Sequence, residues 1–505
     1  MKIVAGEEKE NVVVMDKERA DIKKGSSKDE TTENFNKIME GRSTDWYSIY
    51  MTYTMMLLSG IQLTIYYTSI WPYILLLNPS SQINLLGYVI ASFSLGQGIG
   101  SPIFGGVATK LRSNKIPITI GLIIVIIGNV IYVFLPDLPK DNIFYWICLS
   151  RILVGIGSGT NGVLRSYCVT ACIPNDRRRV VALSIASFVM GVTIGPVIQA
   201  LFTPLGTENN KYLIFTINMF TMPAIIMSII YTFGIIFFWL RFKETFIGFE
   251  EVSTSDNLED CKENNKIELP KFDNIAVIVC IIVMFVQSSV ATNIEAVATP
   301  LSIAMYNWND AEAVLYNGLL IAASAVISFT NYMMQAFTFV HNIDQRKLLI
   351  FGLSVFFLHH TLNYPWSFYS GKLDYIPTDE NGTEFSTADY GGCSSKYDWC
   401  NSISRVPLIV YCITMIVCLG FGFPYTAAPN NTLYADILGP RRQGLMQGIF
   451  ELFGSIARMV GPLIGTYLFN MAGPVYVMML QGLLILLAIA LILVFYKRLI
   501  PLKLA

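Results

Sequence analysis

Two arginines stand inside a glycine-rich apolar stretch of this chain. Arg151 and Arg165 bracket most of RILVGIGSGTNGVLRSY, residues 151–167. A guanidinium stays charged in any protein setting, so in an apolar segment each must find water, a ligand or a partner. On a helix, Arg151, Gly155, Gly162 and Arg165 fall within one face, and the two charges lie about 21 Å apart along the axis. Such a face should look into the protein interior, where it can attract an anion or tie helices together. Glu295, in ATNIEAVATP, and Glu451 are the carboxylates set in comparable surroundings. Burial favours the neutral form of a carboxyl group, so both are candidates to carry a proton. Glu451 and Arg458 share a helix face but lie about 10 Å apart in rise. The expectation is that each has its partner on another helix.

For Arg151 two readings stand side by side: a structural bond within the bundle, and a role in coupling or gating. For Arg165 the readings are an anion-attracting cavity charge and a gate residue near one membrane face. For Arg458 the structural reading is favoured, since buried ions need a partner. Gln62, Gln287 and Asn293 could line a cavity with donors and acceptors, or satisfy one another between helices. His359 and His360 titrate in the range of an acidic compartment.

The elements that must position these residues are membrane helices. The chain has 505 residues, 53% hydrophobic and 14% charged. Soluble domains carry about a quarter charged residues. The mean hydropathy is +0.51. Apolar runs long enough to cross a bilayer recur near 48–74, 85–108, 117–135, 143–172, 180–203 and 214–240. After a charged segment, 241–273, they resume near 274–298, 313–339, 347–369, 406–434, 443–470 and 474–496. The reading is an all-α protein of twelve transmembrane helices in two six-helix halves, 46–240 and 274–496. A polar tail (1–45) precedes them and a short tail (497–505) follows. The first tail has no apolar core of a signal peptide, so the first helix is expected to direct insertion. The linker's acidic part, 250–268, reads as solvated. A net charge of −1 gives no case for nucleic-acid binding.

Charge asymmetry orients the spans. Lys110, Arg112, Lys115, Arg177, Arg178, Arg179, Arg346, Lys347, Arg441, Arg442, Lys497 and Arg498 fall on one side. Lys140, Lys211, Lys372 and Lys396 are the few basic residues placed opposite. The positive-inside rule then puts both termini in the cytosol. The longest opposite-side loop, 364–404, holds the sequon Asn381-Gly382-Thr383, expected to be glycosylated, and Cys393 and Cys400, expected to form a disulfide. A second sequon, Asn430-Asn431-Thr432, falls at the cytosolic end of a span and is expected to stay unmodified.

The halves echo one another. GVTIGP, with Gly195 and Pro196, and ARMVGP, with Arg458, Gly461 and Pro462, each follow an arginine-rich turn (NDRRR and GPRRQG). RILVGIGSG, with Gly155 and Gly159, and GVTIGP resemble the helix-4 and helix-5 signatures of the major facilitator superfamily. SIWPY, GYVIASFSLGQGIGSPIFG, VLRSY, ILGPRRQG and YKRLI resemble an endolysosomal subfamily of it, across Asp45 to Ile500. The resemblance implies two helical bundles around a midplane cavity. It implies an endolysosomal membrane protein. Taken together with the residues, it makes a transporter of a small anionic solute by alternating access the leading expectation, with Arg151 and Arg165 supplying positive potential in the cavity and Glu295 or Glu451 carrying a coupling proton. A chloride channel on the same scaffold is the alternative it leaves open, and a non-transporting scaffold is the third. In that arrangement His359 and His360 lie outside the cavity. Thr109 occupies a position where the superfamily usually has an aspartate. No acidic dileucine sorting signal stands in the first tail, and Tyr496-Lys497-Arg498-Leu499 fits a tyrosine sorting pattern. No nucleotide-binding loop or cysteine–histidine metal spacing is present, so neither an enzyme nor a cofactor is expected.

Overall fold

The computed structural model describes residues 43–66, 69–78, 84–139, 142–173, 176–206, 210–212, 215–246, 271–379, 384, 390–439 and 441–502. The first tail up to residue 42, the acidic part of the linker and the sequon residue Asn381 lie outside the described residues.

The chain is built of helices. The first group is α1 (Trp46–Thr64), α2 (Ile70–Leu77), α3 (Asn84–Leu111), α4 (Lys115–Val133), α5 (Ile143–Ser158), α6 (Asn161–Thr170), α7 (Arg177–Leu201) and α8 (Met222–Arg241). A two-stranded hairpin, β1 (Asn210–Tyr212) and β2 (Phe215–Ile217), precedes α8. The second group is α9 (Asn274–Tyr306), α10 (Asp310–Phe337), α11 (Gln345–Leu362), α12 (Leu408–Ile413), α13 (Leu419–Leu438), α14 (Gly444–Ala472) and α15 (Pro474–Val494). A π-turn over Thr414–Cys418 joins α12 to α13.

Nine continuous helical segments among the described residues are long and apolar enough to cross a membrane. The others expected to do so differ for local reasons. Serine, glycine and glutamine dilute α3, and the run expected over 48–74 is two helices, because α1 ends at Thr64 and α2 begins only at Ile70. The helix α11 opens on Arg346 and Lys347 and closes on His359 and His360, which lowers its hydropathy. The run over 143–172 is among the nine, with a turn at Gly159 and Thr160 between α5 and α6. The run over 274–298 continues to Tyr306 through Pro300. Proline kinks a helix without ending it where neighbouring helices satisfy the freed carbonyl.

Burial gathers into two large apolar cores, one from Ile49 to Phe242 and one from Ala276 to Leu499. A smaller cluster joins Val181, Ala182 and Ile185 of α7 to Tyr332 and Ala336 of α10 and Ala435 of α13. Within the first group, glycines bring backbones together. A Cβ on Gly155 would overlap the carbonyl oxygen of Phe93, and one on Gly96 that of Ile152. Gly159 lies against the Gly100–Ser101 peptide, and Gly195 against Thr64 and Ile65. Small residues are what permit such contact between membrane helices.

The long loop between α11 and α12 is folded back on the second group. Cys393 and Cys400 are joined by a disulfide. Trp399 packs edge-on to Phe469, with ring centroids 5.3 Å apart. The Asp374 carboxylate accepts from Arg405 at 2.6 Å and from Asn307 at 2.7 Å. The hydrogen bond from Arg405, then that from Asn307, holds the Asp374 carboxyl below the usual carboxylate range. A depressed folded-state pKa contributes stability above the unfolded value and loses it only as pH falls through the folded one. The clasp should therefore persist at the pH of an acidic compartment. Limited proteolysis of the loop should run at the same rate at pH 7.5 and pH 5. Asp374→Asn should raise cleavage about two- to fivefold at both, the modest size expected of an exposed pair. Acid-accelerated cleavage of the parent protein would contradict this.

Candidate functional site

The polar residues that meet between the two groups lie where α3 and α6 face α14. Arg165 of α6 donates from Nη1 to Glu451 Oε2 at 2.5 Å. Arg458 donates from Nη2 to the other carboxylate oxygen, Glu451 Oε1, at 3.2 Å. The same nitrogen reaches Gln97 Oε1 on α3 at 3.0 Å and Ser455 Oγ at 2.9 Å. The Glu451 side chain is 3% exposed, Arg165 12% and Arg458 23%. Two guanidinium groups thus share one carboxylate, and the cluster carries one surplus positive charge. The Arg165 Nε is buried without a partner.

Glu451 and Arg458 therefore pair directly, contrary to the expectation from their rise. Both side chains extend along the shared face and close the gap, which long charged stems can do. The expectation that each also has a partner on another helix holds, through Arg165 and Gln97. Sequence reading missed Gln97 and Ser455. The only available signal was that both sit on glycine-rich helix faces.

Below this cluster, toward the end bearing the arginine-rich turns, α3 and α14 run in close contact. Gly105 meets Gly444, and Ser101 meets Gly448. Thr109 Oγ accepts from the Leu445 amide at 3.1 Å, so a hydroxyl bridges where an aspartate is usual. Arg177 at the start of α7 donates to Asp436 near the end of α13 at 2.8 Å, a second ion pair across the seam that sequence reading did not anticipate. Its burial and this pair have opposing effects, and the carboxylate of Asp436 offsets the desolvation of Arg177. The basic end of the seam is thus closed by ion pairs, a hydroxyl bridge and glycine contacts.

The other sequence candidates lie elsewhere. Arg151 does not join Arg165. It is 4% exposed within the first core, with its guanidinium carbon 3.9 Å from the Tyr66 ring centre and 4.9 Å from that of Tyr132. Arg151 faces Tyr66, after α1, and Tyr132 of α4, whereas Arg165, beyond the turn at Gly159 and Thr160, faces Glu451 of α14. Gln62 does not line a cavity: it is fully buried and exchanges hydrogen bonds with Asn129, at 2.9 and 3.2 Å. Gln287 is buried and donates to the Met284 sulfur at 3.2 Å. Asn293 donates to the Ser289 carbonyl at 2.9 Å and packs on Gly461 and Gly465 of α14. Glu295 is exposed and forms no ion pair among the described residues. Pro196 and Pro462 lie inside α7 and α14.

His359 and His360 are buried in the second core. With Asn293, Asn363, Tyr411 and Gln481 they line a small cavity between α9, α11, α15 and the π-turn region. Tyr496, of the tyrosine sorting pattern, stacks under Arg346 at 4.1 Å and bonds Asp344 at 3.3 Å. The Asn430 sequon is buried inside α13.

The bundle thus places a charged seam between its two groups of membrane helices. A profile of the Major Facilitator Superfamily matches residues 52–370 and 401–504, and the chain belongs to that family, whose members are transporters. Major facilitator superfamily domain-containing protein 8 of Xenopus laevis is 30% identical over 475 residues, which is 90% of this chain and 92% of that protein. An SPX domain-containing membrane protein of Oryza sativa subsp. indica is 30% identical over 187 residues, 36% of this chain and 25% of its own length. One of Arabidopsis thaliana is 26% identical over 192 residues, 36% of this chain and 26% of its own length.

Proposed function

We propose that the protein is a twelve-span carrier that moves a small anionic solute across an endolysosomal membrane by alternating access between its two halves. Both termini and the arginine-rich turns face the cytosol in this reading, which the repeated charge asymmetry supports. The endolysosomal placement follows the motifs shared with the subfamily. The observation that carries the solute class is the ratio of two arginines to one carboxylate at the seam. A surplus buried cation is stabilised by an anion that enters beside it.

Glu451 is the coupling group in this mechanism. Ionised, it binds Arg165 across the seam and holds the cytosolic end shut. Protonated, it releases two cations that repel each other, and the cytosolic end can part. In this reading Glu295, on the same helix as Asn293, exchanges protons with the opposite compartment. The acidic side thus drives the step that frees the solute toward the cytosol.

The test is anion uptake into proteoliposomes under an imposed pH gradient. Arg165→Gln should lower saturable uptake about 10- to 100-fold, the loss of one charge-assisted hydrogen bond worth about 1.5–3 kcal/mol. The variant should remain monodisperse. Undiminished uptake would remove Arg165 from the mechanism. Voltage-driven current far faster than carrier turnover would identify a channel instead.

A further inference from the structure

The two histidines of α11 take no part in the charged seam. Both are buried and line the cavity of the second core, together with Asn363, Tyr411 and Gln481. Gln481 is the one amide side chain of the apolar α15. It is 2% exposed and makes no hydrogen bond among the described residues. Asn363 donates from Nδ2 to Thr414 Oγ1 at 2.7 Å and to the His359 carbonyl at 2.8 Å, while its Oδ1 is buried without a partner. His360 Nδ1 lies 2.8 Å from the Phe356 carbonyl, which can only accept. The neutral ring of His360 therefore holds its hydrogen on Nδ1 and keeps a lone pair on Nε2. Tyr411 commits its hydroxyl hydrogen to Asn317 at 2.7 Å.

The groups left over at this cavity are thus chiefly acceptors: the amide oxygens of Asn363 and Gln481, and His360 Nε2. Buried acceptors without donors are costly, and hydrocarbon offers them no water. No carboxylate, lysine or arginine lines the cavity, so an ionic head would be stranded there. Much of the remaining wall is apolar and includes Leu301, Met415 and Met478. The free space takes about one or two groups of the size of water, enough for a polar head and too little for a whole solute. Met415 belongs to the π-turn, a distortion frequent at functional sites. The wall between α11 and α15 is thin. A Cβ on Gly482, next to Gln481, would meet only the Phe357 ring, at 3.7 Å. Leu358 and Leu483, the chain neighbours of Phe357 and Gly482, are 48% and 62% exposed, on the apolar outside of their helices.

We propose that this cavity binds the hydroxyl head of a neutral membrane alcohol, a sterol or a monoacylglycerol, which enters from the bilayer between α11 and α15. The hydroxyl donates to one of the free acceptors and accepts from the Gln481 amide, so it serves both sides of that group. The apolar body of the lipid stays between the helices and in the bilayer. The site lies within the second half, away from the Arg165–Glu451 pair.

The experiment is thermal unfolding of the purified full-length protein in mixed micelles, with each of four lipids titrated in turn. Cholesterol is paired with cholestenone, and 1-monooleoylglycerol with methyl oleate, so that each alcohol has a control without a hydroxyl. A ligand that binds only the folded state raises the apparent Tm saturably, here by about 2–4 °C for at least one alcohol and not for its control. Which alcohol acts identifies the source of the head. Gln481→Leu should abolish the rise, and it should fold, because it replaces an unpartnered polar group with an apolar one. His360→Phe keeps a ring, removes the Nε2 acceptor, and should weaken the response about threefold in midpoint. Arg165→Gln should retain the full response, so loss of transport and loss of this site are read separately. Flat titrations with both alcohols would overturn the proposal, as expected of a cavity that holds only water. So would equal shifts with an alcohol and its control, or an undiminished response in Gln481→Leu.

Discussion

Glu451→Gln should destabilise the protein more than Glu451→Gln combined with Arg165→Gln. The single substitution leaves Arg165 and Arg458 facing each other without the carboxylate that both now share. Removing one partner of a buried pair costs about 3–5 kcal/mol, most of it the penalty of the charge left behind. Removing Arg165 as well takes away one of the two stranded cations. The double variant should recover a coupling energy of about 2–3 kcal/mol, read from reversible unfolding in mixed micelles. Transport should respond differently. Glu451→Gln mimics the protonated residue, so uptake should lose its dependence on the pH gradient even where exchange of solute persists. If the two substitutions add without coupling, the ion pair contributes nothing, and the proposed latch fails with it. Arg458→Gln is the gentler variant, because its contact with Glu451 is longer, at 3.2 Å, and its side chain is more exposed.

The second large effect is steric. Gly155→Val and Gly96→Val should each prevent recovery of a monodisperse protein. At both positions the atom in the way is backbone: the carbonyl of Phe93 faces Gly155, and that of Ile152 faces Gly96. Side chains can change rotamer, but two helix backbones cannot yield without parting along their length. Overpacking of this kind costs more than the usual 1–3 kcal/mol, and about 4–5 kcal/mol or more is expected here. Gly155→Ala should be intermediate. Gly106→Val is the control, since the nearest atom to a Cβ there is a Leu445 methyl at 3.7 Å. Size-exclusion profiles of the four variants decide the matter. A well-folded Gly155→Val would mean that α3 and α5 do not approach as closely as described.

These predictions differ in how much of them could be read before the fold was known. The glycines of RILVGIGSG suggested a close approach, and the neighbour proved to be α3. The arginines inside an apolar run demanded partners, but nothing local could name them. Glu451 is 286 positions from Arg165, and Gln97 is 361 from Arg458. Such contacts depend on how helices are arranged, which hydropathy does not encode. Arg151 shows the opposite error. Its spacing from Arg165 suggested a shared face, yet Arg151 stacks on Tyr66 and Tyr132 within the first core while Arg165 binds Glu451 at the seam.

What the sequence determined by itself was the set of apolar runs and the clustering of basic residues in the connections between some of them. Each follows from composition over some twenty residues, because a bilayer imposes length and polarity directly on a segment. Only the tertiary structure decided which charges meet. Glu451 became the shared partner of two arginines, Thr109 became a hydroxyl bridge, and Arg151 was stacked on Tyr66 and Tyr132 with no ion pair among the described residues. The reason is physical: membrane helices choose neighbours by close packing of small residues, and that packing, summed over many contacts far apart in the chain, places the charges afterwards.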